Sequence, residues 1–64
     1  MRIEQHKNST YVLTDGTKTM EEVESFLENN TDNYENLAFI EKDEAVARLY
    51  EATECFIFHN EVTT

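Results

Sequence analysis

Proline, a second glycine and a second cysteine are all missing from this 64-residue chain. With no repeat and no proline- or glycine-rich stretch to act as a linker, residues 1-64 read as one compact unit with short connections. The single Gly16 excludes a glycine-rich phosphate loop. The single Cys55 excludes an internal disulfide, and with no charged-then-apolar segment at the start of the sequence a reducing, cytoplasmic setting is expected. The sequons Asn8-Ser9-Thr10 and Asn29-Asn30-Thr31 are then chance matches. No apolar run approaches the roughly 18 residues of a membrane span, so no integral membrane segment is expected. Basic side chains are scarce too: 5 Lys and Arg against 14 Asp and Glu give a net charge of -9. That charge opposes direct binding to nucleic acid or to anionic lipid.

What is present is a short chain with a small core. At this size only about 60% of the unfolded surface is buried on folding, and such domains commonly lean on a staple, a metal or a partner. Two segments at the start, Arg2 to His6 and Thr10 to Thr14, read as a strand pair around Asn8-Ser9, and Asp15-Gly16 reads as a tight turn. Thr19 and Glu22 have the spacing of a capping box, which places the start of a helix at about Met20. Met20, Val23, Phe26 and Leu27 then form an apolar stripe that ends near Asn29.

Further along, Leu37 to Ile40 is an uninterrupted apolar run, read as a strand over about 37-41 that is buried on both faces. Asp43 caps a second helix over about 44-52, and Cys55 to Phe58 repeats the strand pattern over about 55-59. A single long helix over 35-52 is the rival reading. The expected fold is α+β, in the order ββαβαβ, with a mixed sheet of about four strands and two short helices on one face. Alternation then sends Ala38, Ile40, Cys55 and Ile57 to the opposite face, which would be left as a dimer or partner surface.

Candidate chemistry is sparse. Paired carboxylates that act as acid and base need a pocket that separates their pKa values, and so small a core offers little room for one. Cys55 and His59, four apart on a strand, lie about 13 Å apart, too far for a shared ligand or a thiolate–imidazole pair. His6 and His59 could meet only if the first and last strands pair. Counting a calcium loop from Asn30 brings Glu41 to the twelfth position, but Glu35 holds the sixth, where glycine is required. No catalytic residue, metal site or cofactor is therefore expected.

The strongest signal is where the charge lies. Residues 1 to 19 hold Arg2, Lys7 and Lys18 against Glu4 and Asp15, a balance of +1, so the rest of the chain carries -10. Glu21, Glu24 and Glu28 fall within about 60° of one another around the first helix, and Glu22, Asp32 and Glu35 extend the row. Such a row repels itself by a few tenths of a kcal/mol per i,i+4 pair. The expectation is a non-enzymatic protein that docks this face on a basic, nucleic-acid-handling partner, with the carboxylates imitating a phosphate backbone. The alternative is a structural module that associates through the apolar sheet face. In composition alone the chain is similar to small phage- or mobile-element-encoded inhibitors of host enzymes; no motif carries that likeness.

Overall fold

The computed structural model describes residues 1–61. Four strands and two helices follow in the order β1 (Arg2–Gln5), β2 (Ser9–Thr14), α1 (Met20–Asn30), β3 (Leu37–Lys42), α2 (Glu44–Leu49) and β4 (Glu54–Asn60), with a 3₁₀ turn at Tyr34–Asn36 leading into β3. The class is α+β. Across the sheet the order is β1-β2-β4-β3.

Every neighbouring pair is antiparallel, so the expected mixed sheet is corrected. The cause lies in the connections. A parallel return between neighbours needs a crossover of a dozen or more residues that spans the sheet, whereas Asp43 to Thr53 carries only the short α2 and rejoins the sheet where β3 left it. Asp43 N–H donates to Cys55 O at 2.9 Å, which ties the two ends of that excursion together.

The two helices lie on opposite faces, not on one. Val12 and Phe56 pack with Val23 and Leu27 of α1, while their chain neighbours Leu13 and Cys55 pack with Ala47 of α2. Successive residues of a strand point to opposite faces, so β2 and β4 each have apolar groups to bury on both sides. One helix cannot satisfy both. Phe56, fully buried, is worth roughly 2–3 kcal/mol by removal from water alone. Thr10 and Thr14 are also buried, and each hydroxyl donates, to Asn60 Oδ1 and to Gly16 O respectively, both at 2.8 Å.

Both helix starts follow from local chemistry. Glu22 N–H donates to Thr19 Oγ1 at 3.2 Å and Thr19 N–H donates to Glu22 Oε2 at 2.8 Å, completing the capping box. Asp43 Oδ1 accepts from Ala45 N–H and Val46 N–H at 2.9 and 3.1 Å. The C-terminus of α2 comes sooner than expected, after Leu49. Glu51 adopts a left-handed φ of 58°, and Ala52 N–H and Glu51 N–H close back onto Ala47 O and Arg48 O at 2.8 and 3.1 Å. That bond pair is a Schellman motif, built without its usual glycine.

The run Leu37 to Ile40 is not buried on both faces. β3 is an edge strand, and Phe39 and Ile40 are 44% and 53% exposed. Its register with β4 steps by one between Phe39 and Glu41, leaving Ile40 without a cross-strand partner. The central, doubly buried strand is β4, with Cys55, Phe56 and Phe58 all buried. The reading of residues 35-52 as one helix is excluded by β3, Leu37–Lys42. Among the described residues no helix is long and apolar enough to cross a membrane.

Candidate functional site

The acidic residues singled out from the sequence separate into two kinds. Glu22 spends its carboxylate on the helix cap, and Glu24 accepts a hydrogen bond from Tyr34 Oη at 2.9 Å. Glu21, Glu28, Asp32 and Glu35 are exposed. Among the described residues the ion pairs are Lys42–Glu54 at 2.8 Å and Arg48–Glu44 at 4.0 Å, and neither touches this row.

Local electrostatics make the row costly. Glu28 stands in the last turn of α1, where the helix's own partial charge is negative and no basic residue balances it. Asn29 and Asn30 side chains donate back to Ser25 O and Phe26 O at 2.9 and 2.7 Å, and Thr31 N–H and Oγ1 donate to Leu27 O at 2.9 and 2.8 Å, so this helix end is bonded by neutral groups and not by a cation. Glu28, Thr31, Asp32, Tyr34 and Glu35 line one open cleft beyond this helix end. Its negative field registers on Tyr34, whose phenol is held above its usual pKa by the hydrogen bond to Glu24 first, then by desolvation and by the charges of Glu24 and Glu28. Tyr34 thus joins α1 to the turn that opens β3. Sequence reasoning passed over it as a loop residue, although it is the one aromatic between Asn30 and Asn36.

The second predicted surface does not survive intact. Cys55 is fully buried beneath Ala47 of α2, which corrects its assignment to an exposed face. Burial, and then the nearby Asp43 charge, push its thiol up to about 11. Ile57 is half-buried against the same cluster, Ala38 is half-buried on the edge strand and Ile40 is exposed. α2 spans only about 9 Å at 1.5 Å per residue. It covers the Leu13–Cys55 level of the sheet and leaves the level of Ser9, His59 and Ala38 without a helix above it.

Among the described residues no hydrogen bond or ring contact joins the two histidine side chains. β2 separates β1 from β4, so the first and last strands do not pair. His59 lies opposite Ser9, while His6 sits in an aromatic group, 4.4 Å from Tyr11 between centroids, with Nε2 3.1 Å from Tyr50 Oη. Among the described residues no three His, Cys, Asp or Glu side chains converge as a metal site.

No protein family, curated protein or solved structure matches this chain. Its function is therefore argued from surface chemistry alone.

Proposed function

We propose that this chain is a non-enzymatic, cytoplasmic binding protein, an inhibitor or regulator that docks the carboxylate row of α1 on a basic surface of a nucleic-acid-handling partner. One observation carries this reading: Glu28, Asp32 and Glu35 stand exposed at and beyond the C-terminal end of α1, where negative charge is unfavourable, and among the described residues none of them makes an ion pair. A helix shaped by stability alone would dilute such a row. Fixed negative charges on a rigid element steer a positive partner and speed encounter in a salt-dependent way. Cys55 itself, a buried thiol with a raised pKa, is a poor nucleophile.

The test is capture of a partner from lysate at low and high salt, by wild type and by a Glu21→Lys, Glu24→Lys, Glu28→Lys variant whose fold is checked by circular dichroism. The proposal expects salt-sensitive capture that the variant loses. Capture that is equal for both proteins refutes it.

A second reading, self-association through apolar surface, is favoured by the exposure of Phe39, Ile40 and Leu49, the last 81% exposed. Sedimentation across a wide concentration range decides it: a strict monomer removes this reading, and a dimer weakened by Ile40→Asp supports it.

A further inference from the structure

The sheet ends in two edges that are protected very differently. β1 is only four residues long, and its positions on the α2 side, Arg2 and Glu4, are charged. Arg2 is further committed, its guanidinium donating to Tyr50 O. Short length and charge are two of the devices by which proteins keep an edge from pairing with another chain.

β3 is six residues long and carries two such devices, the bulge at Ile40 and the exposed charge of Glu41, which repels acidic segments but not basic ones. No proline interrupts it. Its single lysine is drawn away from the rim: Lys42 Nζ lies 2.8 Å from Glu54 Oε2 and 5.3 Å from the centroid of Phe56, so it reaches across β4 and does not guard the edge. No further strand pairs with β3 among the described residues. Leu37 N–H is taken by Tyr34 O, and beyond it the outer row of backbone N–H and C=O groups is available, beside an exposed Phe39 on the α1 side and an exposed Ile40 at the bulge.

Charge selects the occupant. Glu35 and Glu41, both exposed, bracket this edge, and through Tyr34 the entry to β3 is tied to Glu24 and the negative flank of α1. A second copy laid along β3 would bring these carboxylates against their own kind, on two bodies that each carry -9. An extended segment rich in lysine or arginine meets the opposite situation. Its alternate side chains fall on the α1 side, where Phe39 stands, and on the α2 side, where Ala38 and Glu41 stand.

We infer that the free edge of β3 accepts an extended, basic segment of the partner protein as a fifth, outer strand. The inference rests on the acidic-docking reading above and adds to it a mode of binding, backbone pairing for affinity and carboxylates for selection.

The test uses the full chain, labelled with ¹⁵N, and capped peptides of about eight residues that alternate lysine with valine. A matched peptide of equal charge has every backbone nitrogen methylated, so that neither of its edges can donate to a ladder. With the unmethylated peptide at about ten times its Kd, hydrogen exchange of the outward amides of Ala38 to Lys42 should slow roughly tenfold, and the methylated peptide should leave them unchanged. If the α1 amides around Glu21 to Glu28 shift while β3 does not respond, the edge inference is overturned and acidic docking stands. If neither element responds to either basic peptide, both fall. Protection of β3 that rises with protein concentration and no peptide overturns the inference in favour of self-pairing.

Discussion

Tyr34 donates its phenolic proton to Glu24 Oε2 at 2.9 Å, and that bond fastens the approach to β3 onto the acidic flank of α1. The phenolate would face the carboxylates of Glu24 and Glu28, which is why its pKa is raised. Tyr34 should titrate above the ordinary tyrosine value in an ultraviolet phenolate titration, and Glu24→Gln should bring it back toward about 10. Because the folded pKa lies above the unfolded one, this group supports the fold below about pH 10. The support is lost as pH rises through the folded value.

Cys55 makes a larger alkaline effect. Its thiol is raised to about 11, against about 8.5 in an unfolded chain, so its contribution is complete below about pH 8.5 and disappears as pH climbs toward 11. Unfolding free energies from denaturant titrations across that range should fall by about 1–2 kcal/mol more for wild type than for Cys55→Ala. Thiol labelling of the native protein near neutral pH should be slow and should accelerate only with unfolding.

Glu51 pays a steric cost in its left-handed conformation at φ 58°. Glu51→Gly should stabilise the domain by about 0.5–1 kcal/mol, since glycine takes that conformation freely and loses part of the gain to its greater unfolded-state freedom. Thermal or urea unfolding checks it, and a destabilised variant would mean that the glutamate side chain does more than the backbone geometry implies.

Glu28→Lys separates stability from binding. A lysine in the last turn of α1 meets the negative end of the helix and removes like-charge repulsion with Glu24, so unfolding free energy should rise by about 0.5 kcal/mol. Partner capture should weaken in the same variant. Loss of stability would contradict the electrostatic account of α1.

The parts of the fold governed by neighbouring residues were legible in the sequence. Thr19 with Glu22, and Asp43 with the two residues after it, act through bonds that span two or three positions. What escaped was everything set by distant pairing. Leu37–Ile40 and Cys55–Phe58 are equally apolar runs, yet one is an edge and the other the middle of the sheet. Nothing within either run distinguishes them. The face taken by α2 was hidden for a related reason: Val12 and Leu13 are both apolar, so β2 offers a core surface on each side, and only the three-dimensional return of Asp43 to Cys55 selects one. In the candidate site the exposed carboxylates were readable from helical spacing, whereas the tether from Tyr34 to Glu24 spans ten positions. The open rim of β3 depended on a strand order that no local pattern encodes.

The insertion of β4 between β2 and β3 has a consequence for synthesis. A growing chain completes the β1–β2 ribbon early, but β3 emerges with no strand to pair with, because its only neighbour in the sheet is made afterwards. Until Glu54–Asn60 arrives, Phe39 and Ile40 wait on an unpaired strand and the α1 and α2 cores both lack Phe56, Phe58 and Cys55. One late segment therefore closes both cores in a single event, and neither is complete before β4 is in place.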